Sequence, residues 1–434
     1  MTSQSSLPDN VAAPPTENAA LSRRSVVAAG TGNALEFYDF AVFASLTPVI
    51  STLFFPAGNP VAAILSTLAL YAVGFVVRPV GAILLGQLAD RRGRKFTLFL
   101  ALTLMGVTTV LVGVMPTYAQ VGILAPALLC LARVLQGISV GGEFGTAATY
   151  LIEHSPRHKR GLYGSFAVFS SASGSVLGIF VVLMLTISMT QETLSGWGWR
   201  LPFLLGFPLL AIGMYLRFRL AESPEFEELK AEGTRAQNPL RTLFREHWRA
   251  FLTVLGISVG YQILSATIQG FLLTHIRTVV GMPAVPALTT VLIAALLGLG
   301  MVLVVGTVAD RIERRTLLLM ACGLALVLPL PCMLIISLGG FGPVLIGQIV
   351  FWIPLAIFGG VVSAVFADLF PAQVRASGFG IAYGFGVAGF AGTTPFVATL
   401  LVDSSGTVLA PAWYVIAAAA VTMVVVATAM RRTT

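Results

Sequence analysis

Long apolar stretches separated by short polar loops make up most of the chain from residue 25 onward. A helix needs roughly 20 apolar residues to cross about 30 Å of hydrocarbon, and twelve stretches reach or approach that length. The pattern therefore predicts an all-α polytopic membrane protein with twelve transmembrane helices, called segments 1 to 12. Their predicted bounds are 25–50, 61–88, 96–115, 120–151, 162–188, 200–219, 250–274, 285–308, 316–336, 342–366, 377–401 and 410–430.

A charged connection between segments 6 and 7 divides the twelve segments into two sets of six. The stretch before segment 1 is rich in Ser, Pro, Ala and Asn and has no apolar core, which is typical of a disordered tail rather than a signal peptide. The predicted organisation is a cytoplasmic tail over 1–24, a six-helix bundle over 25–219, a cytoplasmic linker over 220–249, a second bundle over 250–430 and a tail over 431–434.

The composition agrees with a chain embedded in lipid. Apolar residues make up 56% of the chain and charged residues 10%, with a mean hydropathy of +0.90, which excludes a soluble protein. The 26 Lys and Arg outnumber the 18 Asp and Glu and cluster in the loops that follow the even-numbered segments. By the positive-inside rule, these loops and both termini are predicted to lie in the cytoplasm. The protein itself is predicted to lie in the inner cell membrane. This distribution does not suggest nucleic-acid binding, and the three cysteines suggest neither a disulfide framework nor a metal site.

Two loop motifs recur in both halves of the chain. The runs GQLADRRGRK and GTVADRIERR contain Asp90 and Asp310, at an offset of 220 residues. The runs EHSPRHKR and DLFPAQVR begin at Glu153 and Asp368, at an offset of 215 residues. Two motifs at nearly the same offset predict duplication of a six-helix unit, and hence two pseudo-symmetric bundles.

The repeated acids and their basic neighbours form a predicted cytoplasmic gate that ties the two halves together in the outward-facing state. The alternative is that these residues only set the membrane topology. Orientation depends mainly on Lys and Arg, so the repeated acids favour a gate. Its predicted members are Asp90, Arg91, Arg94, Glu153, Arg160, Asp310, Arg311, Arg314, Asp368 and Arg375.

The loop after segment 2 resembles the G-x-x-x-D-R-x-G-R-R/K motif of the major facilitator superfamily. The matching positions are Gly86, Asp90, Arg91, Gly93, Arg94 and Lys95. The runs GNALEFYDF, VRPVGA, ARVLQGISVGGEFGTAATYLIE, GWGWRLPF and LFPAQVRASG look like those of its metabolite:proton symporters, which include 2-oxoglutarate, citrate and proline/betaine carriers. The resemblance spans all twelve segments. It implies the major facilitator fold and a secondary transporter whose two bundles rock about a central site.

Five ionised side chains fall well within the predicted segments, and all five lie in the first half. They are Glu36, Asp39, Arg78, Arg133 and Glu143. Each costs on the order of 3 kcal/mol at the bilayer centre, so all five are expected to face the bundle interior and to be paired or hydrated. This asymmetry predicts that the first half handles charge while the second half shapes the cavity.

The resemblance extends to sugar:proton symporters, in which an Asp after a Tyr in helix 1 pairs with an Arg in helix 4. It implies that Asp39 pairs with Arg133. If Arg133 turned to a substrate carboxylate, the isolated Asp39 would take up a proton, which would couple the two fluxes. A fixed ion pair that joins two helices is the alternative. Glu143 and Glu36 are the other predicted proton carriers, and Glu36 is equally able to bind substrate or Arg78.

The two intramembrane arginines favour a small organic anion as substrate, a di- or tricarboxylate or a keto acid, imported together with a proton. A zwitterionic osmolyte such as proline or betaine is the alternative, with the intramembrane acids and aromatic faces receiving its cationic end. The predicted substrate-binding residues are Asn33, Glu36, Tyr38, Arg78, Arg133, Gln136, Gln269 and Tyr383.

Other classes of protein fit the sequence less well. A membrane enzyme is disfavoured because no Ser/His/Asp set, metal cluster or phosphate-binding loop appears. A sensor is disfavoured because no soluble domain is long enough to signal. We expect a monomer in the lipid bilayer with no cofactor, the proton serving as the coupling ion.

Overall fold

The computed structural model describes residues 23–56, 60–92, 94–141, 143–153, 155–218, 239–371 and 374–430. Most of the predicted tails and much of the predicted linker lie outside these ranges. Within them the secondary structure is helical, and no β-strand occurs.

Twelve membrane spans can be assigned to the described ranges. Nine helices are long and apolar enough to cross a bilayer, two bent helix pairs add two spans, and the shorter apolar helix Phe99–Val114 adds the twelfth. Each span coincides with one predicted segment. The spans are α1 (Arg23–Ser45 and Thr47–Phe54), α2 (Pro60–Val76 and Arg78–Arg92), α3 (Arg94–Val114), α4 (Leu124–Val140 and Glu143–Glu153), α5 (Arg160–Ser188), α6 (Arg200–Leu204 and Gly206–Phe218), α7 (Trp248–Ala266 and Leu272–Thr278), α8 (Ala284–Val308), α9 (Arg314–Val327 and Pro329–Ser337), α10 (Phe341–Asp368), α11 (Arg375–Gly386 and Thr394–Ser405) and α12 (Ala410–Ala429).

Several spans are bent or interrupted, and the causes are visible in the sequence. The two parts of α1 meet at 70°, just before Pro48, and those of α9 meet at 43°, just before Pro329. Proline lacks the amide that would continue the helical hydrogen bonds, so a bend forms there. In α7 and α11 the two parts are joined by wider π-turns, Thr267–Phe271 and Val387–Ala391.

Glycines bring α2 and α4 into backbone contact. A Cβ on Gly137 would overlap the carbonyl oxygen of Gly74, and a Cβ on Gly141 would overlap that of Arg78. Small residues allow this close approach between helices in lipid. Gly137 and Gly141 thus form a glycine stripe on α4 that packs against α2 and fixes the position of Arg78.

The two halves meet along α5, which packs on α8 and α10, and along α11, which packs on α2 and α4. Glycine again marks the close approaches, since a Cβ on Gly145 of α4 would lie 2.6 Å from the Cα of Gly380 in α11. We call the end of the bundle at which α1 and α5 begin and α8 and α10 end the arginine-rich end. Between the halves lies a central chamber.

Candidate functional site

The central chamber is lined by residues of both halves. Its aromatic lining residues are Phe37, Phe40, Tyr71, Phe75, Phe144, Tyr261, Trp352 and Tyr383. Its polar uncharged lining residues are Ser45, Ser171, Ser175, Gln262, Ser265 and Gln269. Arg78 is the one charged side chain among the described residues of the lining. The chamber therefore offers one cation, many aromatic faces and several hydrogen-bonding groups.

Arg78 lines the chamber and also pairs with Glu36, which does not line it. Its Nη2 lies 2.7 Å from Oε1 of Glu36, and both side chains are almost fully buried. The guanidinium lies 4.2 Å from the ring centre of Phe75 and 4.9 Å from that of Phe40. Neither carboxylate oxygen of Glu36 has a hydrogen bond of good geometry in the described part of the chain. The pair is thus held mainly by charge, so few hydrogen bonds oppose an exchange of partners.

The local sequence explains the position of Arg78 in α2. The first part of α2 ends at Val76, and its second part begins at Arg78, next to Pro79. The missing proline amide interrupts the helix at this level of the membrane. The carbonyl of Arg78 is then pressed against Gly141 of α4.

Asp39 and Arg133 form a second ion pair that is sealed from the chamber. Their Oδ2 and Nη1 atoms lie 2.6 Å apart, and both side chains are fully buried. Gln136 donates from Nε2 to the other carboxylate oxygen of Asp39 at 3.1 Å, and also lies 3.1 Å from Thr109 Oγ1. The Arg133 guanidinium lies 4.0 Å from the ring centre of Phe43. Both oxygens of Asp39 are therefore satisfied.

Three of the predicted substrate-binding residues do not line the chamber in this structure. Arg133 and Gln136 do not line the chamber, because their polar groups turn toward Asp39 within the first bundle. Glu36 is also behind the wall and reaches the chamber only through Arg78. The fixed-pair alternative for Asp39 and Arg133 agrees with their full burial and with the hydrogen bonds to both Asp39 oxygens.

Two further predicted substrate ligands instead join helices. The Tyr38 hydroxyl donates to the carbonyl oxygen of Pro202 in α6 at 2.6 Å. Asn33 Nδ2 donates to Ser170 Oγ in α5 at 3.4 Å. Neither Tyr38 nor Asn33 lines the chamber in this structure, where both side chains bond to neighbouring helices.

Gln269 and Tyr383, which the sequence also nominates, do line the chamber. Gln269 lies in the π-turn of α7 and donates from Nε2 to Ser265 Oγ at 2.8 Å. The Tyr383 ring stacks on that of Phe144, with centres 4.4 Å apart, so an aromatic pair joins the two halves beside the chamber.

A third buried ion pair involves Arg217, which lies near the end of predicted segment 6 and is not among the five intramembrane charges that the sequence singles out. Arg217 is buried and pairs with Glu143. Neither residue lines the chamber. The signal was present in the sequence, because Arg217 lies four and seven residues after Gly213 and Leu210, both buried on the same face of α6.

Part of the predicted gate joins the two halves at the arginine-rich end. The Asp310 carboxylate accepts hydrogen bonds from the backbone amides of Gly161, at 2.6 Å, and Leu162, at 3.2 Å. These amides open α5, where the helix dipole favours an anion. Asp368 contacts Arg160 of the first half, at 3.5 Å, and Arg314 of the second.

Other gate residues are placed differently or not described. Arg375 donates from Nε to the carbonyl oxygen of Ala367 at 3.0 Å, within the second half. Arg311 is exposed. The side chains of Asp90, Arg91, Arg94 and Glu153 lie outside the described residues, so their roles in the gate stay predictions.

The fold and the chamber between its two halves are those of a multi-pass membrane transporter, and comparison with known proteins agrees. The family model "Sugar (and other) transporter" matches residues 25–243 and 225–432. The chain is 32% identical to the proline/betaine transporter of Salmonella typhimurium, over 93% of this chain and 82% of the relative. It is 34% identical to the alpha-ketoglutarate permease of Escherichia coli, over 92% of each.

A solved structure extends the comparison to the fold. The major facilitator proton:xylose symporter XylE, bound to 6-bromo-6-deoxy-D-glucose, matches with a TM-score of 0.78 at 18% identity, over 93% of this chain and 94% of XylE. The chain therefore belongs to the Sugar (and other) transporter family and has the major facilitator fold. The predicted fold class and the resemblance are confirmed, and the chain is a transporter, not an enzyme.

Proposed function

We propose that this protein is a proton-coupled symporter of the inner membrane, with both termini in the cytoplasm, that imports a small solute carrying a carboxylate. The support is its family, the basic loops that follow the even-numbered spans, and the buried acid–base pairs next to the chamber. In this proposal the arginine-rich end faces the cytoplasm.

The observation that carries the proposal is the pairing of Arg78 with Glu36. Arg78 is the charged group of the described lining, and Glu36 has no well-formed hydrogen bond to retain its charge once Arg78 leaves. A substrate carboxylate that binds Arg78 weakens the ion pair. Glu36, left without its counter-ion in a buried site, then takes up a proton. Substrate and proton are thereby bound together.

The lining also bears on the class of substrate. A di- or tricarboxylate would need a second cation, and the described lining provides only Arg78. A zwitterion needs one cation for its carboxylate and aromatic faces for its ammonium group, which bind such groups well when water is excluded. The described lining of the chamber has eight aromatic side chains. We therefore place a compact zwitterion, such as betaine or proline, first.

The alternative is a keto acid or dicarboxylate. It is favoured by the alpha-ketoglutarate permease of E. coli, which matches this chain over almost its whole length. Such a substrate would place one carboxylate on Arg78 and the other against the amides of Gln262 and Gln269, both of which line the chamber.

Uptake into vesicles decides between these classes. The purified protein, in vesicles with and without an imposed inward proton gradient, is offered labelled glycine betaine, proline, 2-oxoglutarate and citrate. We expect gradient-driven accumulation of glycine betaine or proline. Accumulation of 2-oxoglutarate or citrate alone would overturn the zwitterion assignment, and uptake of all four that ignores the gradient would overturn proton coupling.

We expect Asp39→Asn to lower stability far more than coupling. The substitution leaves Arg133 buried without a counter-ion, which costs about 3–5 kcal/mol. Thermal unfolding in detergent measures this loss, and the accumulation ratio per folded protein measures coupling. Asp39→Asn combined with Arg133→Gln removes both charges and should recover part of the stability. A stable, folded Asp39→Asn protein that no longer accumulates substrate would instead make Asp39 the proton carrier.

We expect Asp310→Asn to lower turnover more than affinity. The loss of an anion from the start of α5 removes about 1–2 kcal/mol from the contact between the halves, which is about a 5- to 30-fold change in their closing equilibrium. Initial uptake rates and equilibrium binding on the same preparation separate the two effects. Thr307→Val, at an exposed position one turn earlier on α8, is the control. An unchanged rate in Asp310→Asn would reduce this loop to a determinant of topology.

A further inference from the structure

Three acids lie along one side of α1. Glu36 and Asp39 belong to α1 itself, and Glu143 of α4 reaches the same side at Gly32. A Cβ on Gly32 would overlap both the Glu143 carboxylate and the guanidinium of Arg217. Positions 32, 36 and 39 are spaced by four and three residues, so they share one face of the helix. The absence of a side chain at Gly32 is what admits the Glu143–Arg217 pair.

The order of the acids along the membrane follows from the helix. α1 begins at Arg23, at the arginine-rich end, so Gly32 lies about 14 Å along the helix from that end and Glu36 about 6 Å further. Arg217 lies in the last turn of α6, which ends at the same side. Glu143 therefore lies between Glu36 and the arginine-rich end, and Asp39 lies on the far side of Glu36.

If Glu36 carries a proton across the membrane, it needs a nearby group that can accept the proton. It is fully buried, and it reaches the chamber only through Arg78. Both oxygens of Asp39 are already bonded to Arg133 and Gln136, so Asp39 is a poor acceptor. Glu143 has a single described hydrogen bond, from Arg217, and lies within electrostatic range of Glu36.

The charges around Glu143 come from three helices. Arg217 of α6 pairs with it directly, Glu36 lies one turn along α1, and Arg78 of α2 pairs with Glu36. The described part of α5 beside α1 contributes the uncharged Ser170, bonded to Asn33. When Glu36 is ionised, its negative charge opposes a second negative charge on Glu143. When Glu36 is protonated, that repulsion is removed while Arg217 and Arg78 stay nearby, which favours transfer of the proton toward Glu143.

We propose that Glu143 is the proton-release site of this transporter and that Arg217 is the residue that positions it; this rests on the proposed role of Glu36. In the transfer, the O–H bond of protonated Glu36 breaks and its proton bonds to a carboxylate oxygen of Glu143. Glu36 becomes an anion again and returns to Arg78 as substrate leaves. The proton then passes from Glu143 to water at the arginine-rich end, and Arg217 restores the ionised carboxylate.

The competing explanation is a static brace, in which Glu143 and Arg217 only hold α4, α6 and α1 together. A brace predicts that substitutions lower stability and amount of protein without changing the number of protons moved per substrate. A release site predicts that the proton flux is lost while movement of substrate without net proton transfer survives. The two explanations differ in the ratio of proton to substrate, whatever happens to the amount of folded protein.

The test uses full-length protein in vesicles with labelled glycine betaine, or labelled 2-oxoglutarate if the uptake panel selects it. Three quantities are measured: accumulation in a proton gradient, substrate-induced proton entry reported by an internal pH dye, and exchange of internal for external substrate. For Glu143→Gln we expect accumulation to fall to a ratio of about one and proton entry to be lost, with exchange within about twofold of the unsubstituted protein. Full accumulation and proton entry in Glu143→Gln would overturn the release site.

Two further variants keep the proposal testable if Glu143→Gln folds poorly. Gly32→Ala retains every charge but displaces the Glu143–Arg217 pair from α1, and should impair proton entry more than exchange. Gly30→Ala, on the same helix α1, is its matched control, because the added Cβ would lie 2.8 Å from the Cβ of the uncharged Ser170 in α5. Equal effects of the two glycine substitutions would support the brace and overturn the proposal.

The role of Arg217 is tested separately, by the dependence of proton entry on the pH inside the vesicles. Arg217→Gln removes the cation that pairs with Glu143, so proton entry should fall more steeply than in the unsubstituted protein as the vesicle interior is made more acidic. Arg217→Lys keeps the charge and should restore most of the original profile. An unchanged pH profile in Arg217→Gln would remove Arg217 from the mechanism. If the unsubstituted protein itself moves no protons with substrate, the proposed symport fails, which is distinct from a coupled protein whose Glu143→Gln form stays coupled.

Discussion

Glu36→Gln is expected to abolish accumulation while preserving exchange of substrate across the membrane. The amide is neutral, like the protonated acid, so Arg78 is permanently available to a substrate carboxylate. The variant can bind and reorient but cannot pick up or release the proton that drives accumulation. In vesicles with an imposed proton gradient, the accumulation ratio should fall to about one, while exchange continues at a rate comparable to that of the unsubstituted protein.

The comparison with Asp39 makes this expectation specific. Both acids lie on α1, both are buried and both pair with an arginine. Only the arginine of Glu36 reaches the chamber. Asp39→Asn should therefore keep its accumulation ratio per folded protein where Glu36→Gln loses it. The reverse result, with Asp39→Asn uncoupled and Glu36→Gln coupled, would return the carrier role to Asp39.

Arg78→Met is expected to weaken substrate binding by about 10- to 100-fold. A hydrogen bond to a charged group is worth about 1.5–3 kcal/mol, and Arg78 is the charged group available to a substrate carboxylate in the described lining. Methionine is unbranched and fills a similar volume against Phe40 and Phe75, so packing is largely preserved. Equilibrium binding of labelled substrate to the purified protein measures the effect.

Arg78→Lys is the control for charge against geometry. Lysine keeps a cation but loses the planar group that lies over two aromatic rings, and it cannot form two parallel bonds to a carboxylate. We expect an affinity between those of the unsubstituted protein and Arg78→Met. Unchanged binding in Arg78→Met would show that the substrate carboxylate lies elsewhere in the chamber.

The fold could be predicted from the sequence because lipid imposes a simple rule on it. Long apolar runs must form helices that satisfy their own backbone hydrogen bonds, and twelve such runs become twelve spans. The glycine stripe of α4 also follows from spacing alone, since Gly137 and Gly141 lie on one face. These features depend on local composition and on helix periodicity.

Which of the ion pairs contacts the chamber could not be predicted from the sequence in the same way. A helical wheel places Glu36 and Asp39 about 60° apart and cannot say which partner reaches the chamber. That depends on contacts between distant segments, such as the carbonyl of Arg78 against Gly141. The π-turns that carry Gln269 and part of α11 past the chamber add a residue to the helical repeat, which periodicity does not reveal.

Burial also changes the interpretation of single residues. Arg217 lies near the end of predicted segment 6, next to the charged linker, so composition alone does not predict that it is buried. The structure buries it against Glu143 because its face of α6 continues that of Gly213. Tyr38 and Asn33 show the opposite case, since they are polar and intramembrane yet bond to neighbouring helices.

The most direct measurement of the central claim is the proton uptake that accompanies substrate binding. Purified protein in weakly buffered detergent solution is mixed with glycine betaine, or with 2-oxoglutarate if that is the compound transported, and the bulk pH is recorded. We expect net proton uptake by the unsubstituted protein and by folded Asp39→Asn, and none by Glu36→Gln. Proton uptake that persists in Glu36→Gln would contradict the exchange of Arg78 between Glu36 and the substrate.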